Sequence, residues 1–455
     1  MSKRLMGLLI AGTLLSSSAL SSTIAIIDSG TDMKHEVIAP KAWVNTGEID
    51  GNNRDEDRNG YQDDIYGWNF AESNNQVIDY SYLGTLNDDI RKFFDIQAKM
   101  MVGSASTDEI KWLREKVQDE EFIKTLSIYG NFMHGTHVAG ISAKKSEDAK
   151  IMAVKLIPTE VKLPFMLGLE NSNLQNDKGW IETLVKKGID LLANTQMTQL
   201  EEISYYVAGH KARVANGSFG TGYPQAKMIV ETVYKQVLRK DPDAAEVEKY
   251  AKYFINALIN AGQKIIKAAP ETLFVYAAGN DGLNNDEYGT SPANIKGDNV
   301  LTVAATMGLS AIAPFSNYGK KLVDVAAPGV SINSAVPGDQ YLRVSGTSQA
   351  APFVAGVAGK VLDINPALTP KEVKDIILGT VDKKEFLAET VATSGIVNND
   401  RAAKAALLSL SVSVTDAISR SRSEVRDMVE QESIVPFKSQ YEKGIVLPLS
   451  SGFKL

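Results

Sequence analysis

The sequence has no cysteine and little histidine. Of its 455 residues, none is a cysteine and four are histidines. Disulfides, thiolate metal sites and cysteine nucleophiles are therefore excluded, and few histidines are left for a metal site. Basic residues are also fewer than acidic ones. The formal net charge is −7 and no basic stripe stands out, which argues against a nucleic-acid partner.

The sequence also lacks an apolar run long enough to cross a bilayer, because a membrane-spanning helix needs about 20 apolar residues. Residues 5–15 form a shorter apolar stretch that follows a basic pair, and residues 19–21 offer the small side chains that a signal peptidase reads. A buried first helix is the alternative, but a strand follows almost at once. We predict a signal peptide over residues 1–21, export to the periplasm or the medium, and a mature chain that begins near Ser22.

A polar, glycine-containing turn at residues 344–352 runs straight into the small, apolar run 353–359. This pattern predicts a helix that begins near Ser348, with Pro352 in its first turn, where a missing N–H costs nothing. The unpaired N–H groups and the dipole of a helix N-terminus favour negative charge beside Ser348, so this serine is a candidate nucleophile. Taken alone, the segment would equally be an ordinary N-cap.

Two upstream segments carry an acid and a base. The apolar run 23–27 leads into Asp28 and predicts a buried parallel strand that presents a carboxylate at its carboxyl end. Residues 131–140 contain His134 and His137, without the glutamate that a zinc-peptidase motif places between its histidines. The aspartate also has a plainer interpretation, because an aspartate after a strand often only forms a turn.

A further apolar strand, which begins at about Thr272, runs into Ala-Ala-Gly-Asn and ends at Asn280. The amide of Asn280 could donate a hydrogen bond at the carboxyl end of this strand. By itself the pattern also fits an asparagine in a left-handed turn at a strand end.

These segments resemble the motifs of the subtilisin-like serine peptidases, the subtilases. The words that match are Gly-Thr-Ser-x-Ala-x-Pro around Ser348, Asp-Ser-Gly at Asp28, His-Gly-Thr-His-Val-Ala-Gly at His134 and Ala-Ala-Gly-Asn at Asn280. The resemblance implies an α/β fold with a doubly wound, mostly parallel sheet. It also implies a catalytic triad of Asp28, His134 and Ser348, an oxyanion hole with Asn280, and a structural role for His137.

The run Ser218, Phe219 and Gly220 is similar to the subtilase segment that pairs with the substrate backbone. We expect residues 214–220 to form a strand with an exposed edge, to which a polypeptide substrate would add as an extra strand. As sequence alone the signal is weak, because Asn-Gly-Ser is also an ordinary turn.

A short acidic segment suggests calcium. Asp55, Asp57 and Asn59 stand at alternate positions before a glycine, as in the first half of a calcium loop. A tyrosine occupies the place of the closing glutamate, which excludes a complete EF-hand, but Asp63 or Asp64 could close a different cage. A solvated acidic turn is the alternative. Any calcium would be structural, because the chemistry that the resemblance implies requires no metal.

Two stretches exceed what a minimal subtilase needs. Residues 71–130 are predicted to contain two helices, one of them starting at a capping box formed by Ser106 and Glu109. Residues 159–206 include a long helical segment. We interpret both stretches as helical insertions into the peptidase domain.

The sequence therefore predicts a subtilisin-like peptidase domain over residues 22–408 and a C-terminal tail of unknown role over residues 409–455. The predicted function is that of an exported serine endopeptidase. The alternatives are a catalytically silent member of the scaffold and a non-proteolytic one that hydrolyses esters or ligates peptides. Asp28 follows the predicted signal closely, without the usual propeptide, so the route of activation stays open: unaided folding, another segment in its place, or a start further upstream.

Overall fold

The computed structural model describes residues 21–160, 178–235 and 241–429. The signal peptide predicted for residues 1–21 lies outside this part, apart from Ser21. Residues 161–177 of the second predicted insertion and residues 430–455 of the predicted tail also lie outside it.

The strands are β1 (Thr23–Asp28), β2 (Gly67–Asn69), β3 (Lys150–Lys155), β4 (Val214–Gly217), β5 (Thr221–Gly222), β6 (Leu273–Ala277), β7 (Thr290–Ser291), β8 (Val300–Met307), β9 (Ala311–Ile312), β10 (Val325–Pro328), β11 (Ile332–Val336), β12 (Gln340–Val344), β13 (Asp382–Lys383) and β14 (Gly395–Ile396). The α-helices are α1 (Asp88–Met101), α2 (Thr107–Lys116), α3 (Glu120–Lys145), α4 (Lys178–Gly209), α5 (Tyr223–Val233), α6 (Ala244–Ala261), α7 (Gln263–Ala268), α8 (Thr347–Ile364), α9 (Pro370–Gly379), α10 (Asn399–Leu408) and α11 (Val414–Glu424).

The central sheet runs in the order β13-β14-β10-β8-β6-β4-β1-β3-β2, and β9 pairs with β8 as its tenth strand. The pairs from β10 through to β2 are parallel, whereas β13 and β9 join antiparallel. The strand β4 lies between β1 and β6. The exposed edge is therefore wrong for residues 214–217, because both sides of β4 are paired; residues 218–220 lie beyond the end of this strand.

Helices cover both faces of the sheet, as the prediction of a doubly wound α/β fold requires. Along β1, Ile24 and Ile26 belong to the core that packs against α3 and α8, and Ala25 and Ile27 to the core that packs against α4 to α7. Successive residues of a strand face opposite sides, so an apolar run becomes a strand buried on both faces.

The first predicted insertion contains the two predicted helices, α1 and α2. The capping box is confirmed: the Ser106 side chain accepts from the Glu109 N–H at 3.2 Å, and the Ser106 N–H donates to the Glu109 carboxylate at 2.8 Å. The insertion then leads into α3, which continues without a break through His134. Aromatic and aliphatic side chains of α1 to α3 pack together, including Phe93, Phe94, Leu113 and Phe122. They contact Val336 and Leu342 of the β11–β12 hairpin.

The described start of the predicted tail packs on the domain. Ala417 and the Ser421 side chain of α11 are buried. The Arg401 guanidinium of α10 donates to Asp382 at 2.9 Å and to Asp427 at 2.6 Å, which fastens the chain after α11. Within the described ranges, no helix has both the length and the hydropathy that crossing a membrane requires.

Candidate active site

Asp28 and His134 meet at the carboxyl end of β1. The Nδ1 atom of His134 lies 2.7 Å from Oδ1 of Asp28, and both side chains are buried. The same Oδ1 accepts the N–H of Ser29 at 2.8 Å. This contact needs α3 to approach the strand end closely, and Gly135 allows it, because a Cβ there would overlap the carbonyl oxygen of Gly30. The aspartate can thus fix the orientation of the imidazole ring.

Ser348 lies in the first turn of α8, and its hydroxyl donates to the carbonyl oxygen of Ser218 at 3.3 Å. In return the Ser218 hydroxyl donates to the Ser348 carbonyl at 3.1 Å. Pro352 falls in the second turn, not in the first as predicted, because the helix begins at Thr347. A proline has no N–H for the carbonyl four residues earlier, which leaves the Ser348 carbonyl to accept from Ser218.

Asn280 follows β6 and lies against the start of α8. Its Oδ1 accepts the N–H of Thr347 at 2.9 Å and the hydroxyl of Thr347 at 2.8 Å. These two bonds fix the amide, so its Nδ2 group is the side that can donate. The turn before it needs Gly279, which has a φ of +117° and a neighbouring Asn317 amide that a Cβ would overlap. Thr347, which the sequence analysis did not assign, is the residue that orients Asn280.

The segment Ser218, Phe219 and Gly220 continues from the carboxyl end of β4. The Phe219 ring belongs to the core on the α4 side of the sheet, so this residue can offer only its backbone to a ligand. The next strand, β5, pairs antiparallel with β7. The segment therefore passes between Ser348 and a second small sheet.

His137 is placed differently from His134, although both belong to α3. Its Nε2 lies 3.1 Å from the Leu342 carbonyl, and its Nδ1 lies 3.5 Å from the side-chain amide of Gln349. Burial lowers the pKa of His137 to about 4. A neutral imidazole that donates to one neighbour and accepts from another satisfies this arrangement.

The acidic loop, defined here as residues 45–64, brings together two of the predicted carboxylates, Asp55 and Asp57, with one that was not predicted, Glu48. Glu48, Asp55 and Asp57 each bring one oxygen within 4.8 Å of the others. Asp63 instead accepts the N–H groups of Asn52 and Asn53, at 3.1 and 2.8 Å. The sequence analysis missed Glu48, because it precedes the alternating pattern.

Asn59 also contributes to this loop as a donor. Its Nδ2 lies 3.2 Å from Asp57 Oδ2 and 3.0 Å from Asp64 Oδ2. Gly60 has a φ of +96°, and a Cβ there would meet nothing within 4 Å, so the glycine is required for the turn and not for space.

The three converging carboxylates of Glu48, Asp55 and Asp57 fit a hard cation such as Ca²⁺, which takes oxygen ligands.

Comparison with known proteins identifies the family to which the chain belongs. The sequence profile of the Subtilase family matches residues 21–399. The chain is 31% identical over 258 residues to the "Cell wall-associated protease" of Bacillus subtilis (strain 168), over 56% of this chain and 22% of that protein. It is 40% identical over 146 residues to the "Extracellular basic protease" of Dichelobacter nodosus, over 30% of this chain and 23% of that protein.

Among solved structures, the crystal structure of a cold adapted subtilisin-like serine proteinase is similar at 20% identity and a TM-score of 0.42, over 83% of this chain and 86% of that chain. An α/β protein with a parallel sheet and an aspartate–histidine pair at its carboxyl edge is the class that the fold and the site define. The chain belongs to the subtilase family, whose profile covers most of its length. The matches span less than a quarter of either bacterial protease.

Proposed function

We propose that the protein is an exported serine endopeptidase that hydrolyses peptide bonds through Asp28, His134 and Ser348. The observation that carries this proposal is the buried 2.7 Å contact between Asp28 and His134 at the carboxyl end of β1. Ser348 bonds to Ser218, which follows β4, the strand next to β1 in the sheet. Membership of the subtilase family supports the same reaction.

In this mechanism the Ser348 hydroxyl turns from the Ser218 carbonyl toward Nε2 of His134, gives its proton to that nitrogen and attacks the scissile carbonyl carbon. Asp28 accepts the Nδ1–H and stabilises the imidazolium. His134 then returns the proton to the leaving amine, which leaves an acyl group on Ser348. Water attacks the acyl-enzyme with His134 as base again and releases the carboxylate.

Asn280 and the N–H of Ser348 would form the oxyanion hole. Thr347 holds Oδ1 of Asn280, so Nδ2 is set as a donor before the reaction begins. The Ser348 N–H belongs to the first helical turn, where N–H groups have no intrahelical acceptor. Donors placed in advance where charge develops stabilise the transition state more than the ground state.

The substrate would be a polypeptide, with its backbone along Ser218, Phe219 and Gly220. Export would follow from the signal peptide predicted over residues 1–21, and the two bacterial relatives carry names that place them at the cell wall or outside the cell. The domain boundaries follow the sequence analysis: residues 22–408 form the peptidase domain, with insertions at about 71–130 and 159–206.

Calcium is proposed as a structural ion of the acidic loop. Glu48, Asp55 and Asp57 would hold it, and its charge would relieve the repulsion among their carboxylates. Asp63, which the sequence analysis also assigned to the metal, does not belong to this converging group. Asn59, assigned likewise, directs its Nδ2 at Asp64. No step of the peptidase chemistry passes through this ion.

A fluorophosphonate probe tests the proposal. It should label the protein, the adduct should map to Ser348, and the same preparation should cleave members of a peptide library. Absence of labelling would indicate a catalytically silent protein. Labelling with ester hydrolysis or peptide ligation but without peptide cleavage would indicate the non-proteolytic alternative, and either result would contradict the endopeptidase.

A further inference from the structure

Ser22 is tightly held at the far end of the helix that carries Ser348. Its backbone nitrogen donates to Oδ1 of Asp363 at 2.7 Å, and its hydroxyl donates to the Gly359 carbonyl at 3.1 Å. Its own carbonyl accepts the N–H of Lys150 at 2.8 Å. Ser22 is buried even though it precedes the first strand. The structure therefore fixes the position of one particular backbone nitrogen.

The acceptor, Asp363, stands in an electrostatically unfavourable place. It belongs to the last turn of α8, where the helix dipole is negative and no basic residue is present. Its second oxygen accepts the hydroxyl of Ser146. Among the residues that the structure describes, no lysine, arginine or histidine nitrogen lies within 4.0 Å of this carboxylate. A cation at the position of the Ser22 nitrogen would compensate both the carboxylate and the helix end.

We propose that the mature protein begins at Ser22 and that its α-ammonium group forms an ion pair with Asp363. Water hydrolyses the Ser21–Ser22 peptide bond in the active site of a signal peptidase, which leaves a carboxylate on Ser21 and an ammonium group on Ser22. Ala19 and Ser21 have the small side chains that this cleavage needs at the third and first positions before the bond. The inference rests on the export part of the proposed function and is independent of the peptidase chemistry.

The surroundings suit an ammonium group. The peptide nitrogen of Ser22 lies 2.7 Å from the carboxylate, a distance that an ammonium donor would keep, because such N–H···O bonds are about 2.7–2.9 Å long. Ser21 and Ser22 line a cavity of about 1150 Å³ at the amino ends of the strands, with Trp43, Lys150 and Pro366 among its walls. The ammonium would keep contact with water there, which lowers the cost of placing a charge beside buried groups.

Other charged groups surround this corner. Lys41 feels the charges of Glu147, Asp148, Lys150 and Asp363, and His210, Lys211, Arg213 and Glu271 line the cavity. All of them are unchanged between two chains that differ only at the N-terminus. A stability difference between such chains therefore comes from the N-terminal segment, and its dependence on Asp363 isolates the ion pair.

The test uses Ser348→Ala protein, so that autolysis does not interfere. First, mass spectrometry of the exported protein should find Ser22 at the N-terminus. Second, protein that starts at Ser22 should melt at a higher temperature than protein that retains residues 19–21, because the longer chain offers Asp363 a neutral N–H. Asp363→Asn should abolish this gap, whereas Asp298→Asn, which removes an exposed carboxylate elsewhere, should leave it unchanged.

The gap should also depend on pH. Pairing with Asp363 raises the pKa of the α-ammonium above its ordinary value of about 7.7–8.0. The added stability is therefore complete below that value and is lost as the pH rises through the raised pKa. If Asp363→Asn does not fold, the pH dependence of the rate of α-amine acylation in Ser22-start protein gives the pKa directly.

An N-terminus other than Ser22, equal melting of the two chains, a gap that survives Asp363→Asn, or an α-amine with an ordinary pKa would each overturn the proposal. A protein that does not react with the fluorophosphonate probe but passes these tests would contradict the peptidase function and leave the ion pair in place. The two proposals can thus fail separately.

Discussion

The candidate active site and the acidic loop are both rich in carboxylates and amides, but they use their hydrogen-bonding atoms in opposite ways. In the loop, both carboxylate oxygens of Glu48, Asp55, Asp57 and Asp63 accept N–H groups of the loop itself. In the site, Oδ2 of Asp28 is buried and accepts no hydrogen bond among the described residues.

The Ser348 hydroxyl shows the same contrast. It makes one hydrogen bond, at 3.3 Å, to a carbonyl that a rotation of the side chain would release. A polar region that only supports the fold gains stability by saturating its groups, whereas a reactive one must keep some of them available. Substitutions in the site should therefore change activity with little change in stability, and substitutions in the loop should do the reverse.

The largest expected effect is the loss of peptide hydrolysis in Ser348→Ala and in His134→Ala. Each should lower kcat by about 10⁶-fold, and the double variant should be hardly worse, because triad members act as a unit. Hydrolysis of a fluorogenic peptide gives the rates, and thermal melting shows whether the fold is intact. Activity that survives His134→Ala but not His137→Ala would move the base to the other histidine.

Asn280→Ala should lower kcat by roughly 10²–10³-fold, about 2.7–4 kcal/mol, with KM little changed. The reason is that its Nδ2 would meet the oxyanion of the transition state and not the ground-state carbonyl. Steady-state kinetics on one peptide separate the two parameters. The control is Asn194→Ala, because that exposed amide on α4 donates only to the Asp190 carbonyl. An effect mainly on KM would assign Asn280 to substrate binding.

In the acidic loop, removal of calcium should change stability and not kcat. An ion at a hundredfold excess over its Kd stabilises the native state by about 2.7 kcal/mol, so a chelator should lower the melting temperature of Ser348→Ala protein by a few degrees. Asp57→Ala should melt lower and lose its sensitivity to the chelator. A melting curve that the chelator does not move would show that the loop is an acidic turn without a metal.

The comparison of these two regions also shows what could be predicted from the sequence. The parallel sheet was predictable, because short runs such as residues 24–27 are apolar at every position, which is typical of strands buried on both faces. The capping box of α2 was predictable for a similar reason, because Ser106 and Glu109 interact locally. Features that depend on a few neighbouring residues can be read directly.

Features that depend on contacts between distant parts of the chain could not be predicted from the sequence. The exposed edge was wrong for residues 214–217 because strand order is set by the whole sheet. Pro352 was predicted in the first turn, but the start of α8 at Thr347 depends on Asn280, which is 67 residues away. Glu48 joins Asp55 and Asp57 through the path of the loop, which no short pattern encodes.

The smallest expected effect concerns His137, which lies in the helix of the site but is satisfied like the groups of the loop. Burial holds its pKa at about 4 in the folded protein, against about 6.5 in an unfolded chain. As the pH falls below 6.5, the unfolded state takes up a proton that the folded state does not, so the free energy of unfolding decreases. The decrease levels off below about pH 4, where both states are protonated.

At pH 5 this histidine should cost about 2 kcal/mol of stability relative to pH 7. Urea unfolding of Ser348→Ala protein at several pH values gives the parent curve, to which the carboxylates also contribute. The same series in the Ser348→Ala, His137→Gln protein retains those contributions, so the difference between the two curves isolates His137. Curves that fall in parallel from pH 7 to pH 5 would mean that His137 titrates normally, and that its burial against Leu342 and Gln349 does not keep it neutral.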